Sequence, residues 1–364
     1  MLAALLLLLQ GEEVQTRTLF HSEKTDFILE TVVPDLDRPW GIDFLPDGIL
    51  ITERDGRMKI HRQGKLFAVT GLPDIAPGGQ GGLLDVAVSP SFDRDQQIYF
   101  TFSKAGPGGR GTALASARLQ GTALEEVQIL WEMEKKTGTA VHFGSRIRFL
   151  ADKTLIFTTG ERGDSDRAQD LADGAGKVHR LNRDGTIPGD NPFIKIPGAL
   201  PSIYSYGHRN PQGLVIRHSD GTIWLSEHGP QGGDEINLIM PGKNYGWPVI
   251  TYGRNYVIGT QIGEGTSKPG MEQPLLHWTP SIAPSGLDFY SGRRIPAWKG
   301  NLFSGALAGR QLVRMEISGT QVLKQEVVLE NAIGRIREVR EGPDGYLYLA
   351  TDESNGALYR IGPP

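Results

Sequence analysis

Cysteine is absent from the 364 residues. Disulfides, cysteine-held zinc, iron–sulfur clusters and thiol nucleophiles are thereby excluded. Charge of one sign is not in excess either: 38 Lys and Arg stand against 42 Asp and Glu, for a formal net charge of -4. No Lys/Arg run occurs, so the chain offers no basic field for nucleic acid. Long hydrophobic runs are missing as well. The leucine-rich start, MLAALLLLL over Met1 to Leu9, is shorter than the roughly 20 residues needed to cross a bilayer. A polar QGEE segment follows it, and together they read as the hydrophobic part of a secretory leader without its basic start. The sequence therefore predicts no membrane span, a leader remnant over residues 1–12, one domain over residues 13–364, and a periplasmic or secreted destination.

Glycine and proline are plentiful, at 48 and 23 residues, which points to many turns and few long helices. With 38% hydrophobic and 22% charged residues, the chain has the composition of a globular protein with a real core. One pattern recurs along it: a small or apolar start, an alternating strand, a turn with Asp or Gly, then a second strand. Copies begin at Gly41, Gly82, Ser145, Gly213, Gly286 and Arg335. Asp47-Gly48, Asp220-Gly221 and Asp344-Gly345 occupy the same place in their copies, and Asp-Gly suits the positive-φ residues of a tight hairpin. The spacing is too regular for accident and too uneven for a solenoid. Blades arranged radially, with loops of variable length, fit it. The fold expected is all-β, a six-bladed β-propeller of four-stranded antiparallel blades. The alternating segment Phe27 to Leu36 precedes the first copy and would close the ring as the outer strand of the last blade.

Polar residues cluster at equivalent places in the copies. Gln80 and His142 precede the second and third, and Arg209, Asn210 and Gln212 precede the fourth. Arg335 and Arg337 open the sixth. Asp164, Gly229-Pro230 and Asp352 follow second strands. In a propeller the start of each innermost strand and the loop after the second strand share one face. These residues would converge there on a pocket suited to an anionic ligand and acid–base chemistry.

The segments GGQGGLLDVA, HFGSRIRF, GERGD, YGHRNPQGL, SEHGPQGGDEIN, KNYGWP, APSGLDFY and RIREV resemble the soluble aldose sugar dehydrogenases that use pyrroloquinoline quinone (PQQ), the glucose/sorbosone dehydrogenase family. The resemblance runs from about Pro39 to Gly362. It implies a six-bladed propeller with PQQ near its axis, calcium, and oxidation of an aldose at C1 to the lactone, with electrons passed to an external quinone, dye or small redox protein.

His142 then becomes the candidate general base, since a neutral imidazole accepts a hydroxyl proton near pH 7. Asp164 is expected to orient that imidazole, and Gln80 to hydrogen-bond the sugar near C1. PQQ carries three carboxylates, and Arg209, Arg335 and Arg337 resemble their partners; the arginine fork suits a carboxylate. Arg335 and Arg337, two apart, face one side of a strand. Asn210, Gln212, Asp352 and Trp278 complete the expected cofactor pocket. The resemblance places one Ca²⁺ on main-chain carbonyls at Gly229 and Pro230, and a second, structural one at Glu235 and the carbonyl of Tyr245; oxygen ligands suit calcium. One departure stands out: a lysine that glucose-specific members carry after Ala306-Leu307 is Ala308 here, with Arg310 two residues on. Shorter loops favour the broad-specificity subgroup. A calcium-dependent sugar lactonase and a non-catalytic propeller that binds glycans or peptides remain as other readings. The converging arginines count against the first, and His142, Asp164 and Gln80 would have no task in the second.

Overall fold

Asp-Gly turns reverse the chain where the repeats predict, though not always for the same reason. Gly221 and Gly345 take φ of 73° and 80°, the left-handed region that glycine enters without cost. Gly48 does not. There a Cβ would stand 2.7 Å from the carbonyl oxygen of His61, so close approach of the neighbouring strand requires the glycine.

The computed structural model describes residues 17–364; the leader assigned to residues 1–12 lies outside the described residues. Six antiparallel sheets follow one another around an axis. Blade one comprises Pro39–Leu45, Gly48–Glu53, Arg57–Arg62 and Lys65–Ala68. Blade two runs from Leu83–Val88 outward to Ala123–Glu132, and blade three from Ile147–Phe149 to Ile203–Tyr206. Blade four begins at Pro211–Ile216 and ends at Leu276–Trp278; blade five begins at Pro284–Phe289 and ends at Gln321–Glu330. Blade six takes Ile336–Glu341, Leu347–Thr351 and Gly356–Gly362 from the C-terminus. Its fourth strand is Asp26–Leu36, paired from Ile28 with Gly362 to Leu36 with Gly356, the expected closure. A fifth strand, Arg17–His21, adds to that edge, so the last blade exceeds the four strands expected. Helix is limited, among the described residues, to Phe92–Asp95 and two short 3₁₀ turns.

Each blade is apolar on both faces because each is covered on both sides, and the core divides into wedges at the blade junctions. Leu50, Ile60, Val86 and Phe100 fill the first junction, and Tyr99, Ile147 and Phe157 the second. Ile156, Leu214 and Leu225 fill the third, and Trp224, Leu287 and Leu302 the fourth. Phe27, Trp298, Phe303 and Ile336 fill the fifth, and Val33, Ile42, Ile51 and Leu358 close the ring.

Side-chain bonds set the register of neighbouring blades. Thr101 Oγ1 donates to the Ser145 carbonyl at 2.7 Å, Ser226 Oγ to that of Ser285 at 3.0 Å, and Ser285 Oγ to that of Ile336 at 2.6 Å. Asp43, Asp85 and Asp288 accept from the backbone N–H of Val88, Ile147 and Glu341, each on the next blade, at 2.7–2.9 Å. At the axis Arg146, fully buried, bonds Asp85 at 3.3 Å, Glu338, and the carbonyls of Gln212 and Arg337 at 2.6 and 2.8 Å. Four blades are thus tied through one guanidinium.

Candidate active site

The face that receives the starts of the innermost strands collects most of the predicted residues, though not Trp278 or the Asp164 carboxylate. His142 sits just before blade three's inner strand, with a left-handed φ of 55°. Such a conformation in a non-glycine residue persists only where its surroundings enforce it. Gln80 Oε1 accepts its backbone N–H at 2.8 Å. A Cβ on Gly160 would meet the His142 carbonyl oxygen at 2.3 Å, so the loop lies tight against blade three.

His142 Nδ1 lies 2.6 Å from Glu161 Oε1. A carboxylate only accepts, so Nδ1 carries the proton and Nε2 keeps its lone pair. Burial lowers the imidazole's proton affinity; the Glu161 hydrogen bond opposes this, and the charges of Arg209 and Arg162 reinforce it. Asp164 does not perform the role expected of it. Its carboxylate is half exposed and stands 3.8 Å from Lys135 Nζ, at the entry to the 3₁₀ turn Ser165–Ala168. Left-handed Arg162 and Gly163 turn the loop so that Glu161 faces inward and Asp164 outward. Sequence reasoning missed Glu161, although a signal existed: an acid recurs near the end of the second strand at Glu53, Glu227 and Asp352, and Glu161 matches that register better than Asp164.

Blade four supplies the next group. Arg209 Nη1 donates to the carbonyls of His228 and Gly229 at 3.1 and 2.9 Å, and its guanidinium lies 5.3 Å from the Trp247 ring centre. Asn210 Oδ1 accepts from Gly144 N and from Gln212 Nε2, both at 3.2 Å. Gln212 Oε1 accepts from Arg337 Nη1 at 2.6 Å. Arg337 reaches Asp352 at 3.1 Å, Arg335 reaches it at 3.7 Å, and Arg54 at 3.2 Å. Arg335 and Arg337 therefore do point to one side, around a single carboxylate. Arg54, at the end of blade one's second strand, is a further missed residue, at the repeat position that Asp352 holds in blade six.

Trp278 is not in this pocket. It closes blade four's outermost strand and donates through Nε1 to Gln325 of blade five at 2.7 Å. Position in the outer strand carries it away from the axis; Trp247 stands beside Arg209 instead. Ala308 is exposed, and Arg335 Nη1 bonds the adjacent Leu307 carbonyl at 3.3 Å. Arg310 is exposed with a left-handed φ of 48°.

A family model described as Glucose / Sorbosone dehydrogenase matches residues 36–360. The chain belongs to the glucose/sorbosone dehydrogenase family. It is 42% identical over 344 residues to the aldose sugar dehydrogenase YliI of Escherichia coli K12, covering 92% of this chain and 92% of that one. The structure of the soluble aldose sugar dehydrogenase from Escherichia coli in its apo-form matches with a TM-score of 0.90, at 42% identity over 92% of this chain and 99% of that one. The PQQ-bound aldose sugar dehydrogenase from Streptomyces coelicolor matches with a TM-score of 0.77, at 29% identity over 91% and 96% of the two chains.

This glucose/sorbosone dehydrogenase chain has the donors that a flat polycarboxylate needs. Three guanidinium groups (Arg54, Arg335, Arg337) meet the single carboxylate Asp352, and the buried Nε atoms of Arg209 and Arg337 have no partner among the described residues. Orphaned buried donors are costly, and an anionic cofactor would satisfy them. Its calcium would meet a tighter constraint. The Gly229 carbonyl already accepts from Arg209, so a cation there is reasonable only when the cofactor's carboxylates offset the arginine.

Glu235 and Glu227 face each other across two strands. They line a hollow of ≈ 10 Å³ with Arg209, Tyr245 and Thr251, room for one water-sized body. Burial first, then the Glu227 charge, pushes the Glu235 carboxyl up to about 8. Two carboxylates forced together in this way suit a cation. The Tyr245 hydroxyl bonds Leu238 O at 2.6 Å and Met240 N at 2.9 Å, which leaves its main-chain carbonyl as the possible ligand. Among the described residues no group of three or more His, Asp or Glu gathers as a metal site, so either calcium would lean on backbone carbonyls.

Proposed function

We propose that this protein oxidises aldose sugars at C1 to the lactone, using PQQ and Ca²⁺, with broad sugar specificity. The observation that carries this reading is the His142–Glu161 pair on the same face as the arginine cluster. Glu161 fixes the tautomer, so Nε2 of His142 is free to take the anomeric hydroxyl proton as the C1 hydride departs. Glu161 then stabilises the imidazolium that forms. Gln80, held against the His142 backbone, presents its amide beside the base, suited to a sugar hydroxyl. Arg209, Arg335, Arg337 and Arg54, with Asn210, Gln212 and Asp352, would hold the cofactor's carboxylates and carbonyls. When bound, PQQ supplies the carbon that accepts hydride, and a calcium ion polarises its carbonyl.

The electrons must then leave to an external quinone, dye or small redox protein. The apolar start of the chain supports work in the periplasm or outside the cell. No helix among the described residues is long and apolar enough to cross a membrane.

The test is dye reduction by the purified protein supplied with PQQ, Ca²⁺ and glucose or another aldose. Sugar-dependent reduction is expected. Its absence under every metal condition overturns the reading. His142→Ala should lower turnover by about 10²–10⁴-fold while PQQ absorbance still reports binding.

A further inference from the structure

Arg162 is fully buried, yet among the described residues no carboxylate bonds it. Its Nη2 donates to the carbonyl of Thr139 at 2.7 Å and to that of Arg110 at 3.4 Å. Its guanidinium lies 3.5 Å from the ring centre of Phe143. The Nε and Nη1 donors have no partner among the described residues, and the backbone is left-handed at φ 63°. A buried, half-bonded cation on strained backbone is expensive. Packing alone would be better served by leucine or methionine.

Its partners give the arrangement a purpose. Thr139 and Phe143 flank His142 on either side. Thr139 Oγ1 returns a bond to the Arg162 carbonyl at 2.5 Å. A Cβ on the next residue, Gly163, would touch Thr139 and Val141 at 3.4 Å. The residue before, Glu161, holds the imidazole itself. One loop thus grips both ends of the segment and the ring between them.

We propose that Arg162 is a positioning residue of the sugar-oxidising site: it clamps the Thr139–Phe143 segment against the Glu161 loop and so fixes the orientation of His142. This rests on the reading of His142 as the base. The charged and titratable groups around that ring are Glu161, Arg162, Arg209 and His228; Glu161 alone favours the imidazolium. Burial holds the Arg162 guanidinium down to about 9, and the charges of Arg167 and Arg110 act the same way, while Glu161 opposes them. Because the guanidinium is still a cation at neutral pH, it raises the cost of a second positive charge beside it.

Two variants separate charge from clamp. Arg162→Met keeps the length and loses both; Arg162→Lys keeps the charge and loses the fork. His142 is followed in the cofactor-free protein by proton NMR titration, assigned against a His142→Gln spectrum, and kcat and KM are measured in the enzyme loaded with PQQ and Ca²⁺. Arg162→Met should titrate His142 at higher pH than native, move the acid limb of kcat/KM the same way, and lower kcat by about 10-fold or more with KM within about threefold. Arg162→Lys should keep the native titration with lowered kcat. If Arg162→Met fails to fold, the lysine variant decides, and native kcat in it overturns the clamp. Unchanged titration and kcat in Arg162→Met overturn the proposal, as does activity lost only in step with melting temperature. Should native protein not oxidise sugar at all, the function is wrong, while the NMR titration still reports on the clamp.

Discussion

At the scale of single residues, the acid that serves His142 decides the chemistry. Glu161 lies 2.6 Å from Nδ1, whereas Asp164 faces solvent beside Lys135. Glu161→Gln should therefore lower kcat by about 10²-fold or more, by allowing the wrong tautomer and leaving the imidazolium uncompensated. Asp164→Asn should stay within about twofold of native. Steady-state kinetics on the two variants checks this, and a reversed ranking would return the role to Asp164. His142 itself is held below its ordinary range chiefly by burial. Activity that needs the neutral ring is then present at pH 7 and lost as pH falls through that lowered value. The acid limb of kcat/KM should lie below 6.5, the imidazole's ordinary value.

At the scale of elements, neighbouring blades are joined by buried carboxylates as much as by apolar wedges. Asp85 accepts from the Ile147 N–H and pairs with both Arg146 and Arg148. Removing it leaves the guanidinium groups of Arg146 and Arg148 short of an acceptor. Asp85→Ala should cost about 3–5 kcal/mol, measurable by urea denaturation, and a loss under about 1 kcal/mol would show that Glu338 alone suffices. The six starts and the Asp-Gly turns were readable because strand alternation and turn chemistry are local. Arg146 was not. Its partners lie 61 and 192 residues away, and nothing in RIRF distinguishes the arginine that turns to the axis from the one after it.

At the scale of the whole molecule, closure of the ring governs stability. Asp26–Leu36 joins the two ends of the ring, with Phe27 packed 5.2 Å from Trp298. A chain begun at Asp37 should aggregate or fail to melt cooperatively, since blade six keeps an open edge. A chain begun at Ser22, which among the described residues lacks only Arg17–His21, should fold. Solubility and thermal scans of the two truncations decide it.

The Glu235–Glu227 pair adds a pH dependence. Glu235 is raised to about 8 in the folded state, against 4.5 ordinarily. Its contribution to stability is full below 4.5 and is lost as pH rises toward 8. Calcium needs the ionised pair, so the melting-temperature gain on adding Ca²⁺ should be larger at pH 8 than at pH 5. An equal gain at both would remove calcium from this hollow.

The sequence by itself determined the repeat, the all-β architecture, the ring closure, and the face on which polar residues gather. It also placed His142, Arg209, Asn210, Gln212, Arg335 and Arg337 on that face, because each lies at or just before the start of its copy. Tertiary structure decided the rest. Whether Glu161 or Asp164 turns inward depends on two left-handed residues between them. Whether Trp278 or Trp247 stands near Arg209 depends on distance from the axis. Both outcomes arise from how loops cross between blades, and contacts between distant segments leave no periodic trace in the chain.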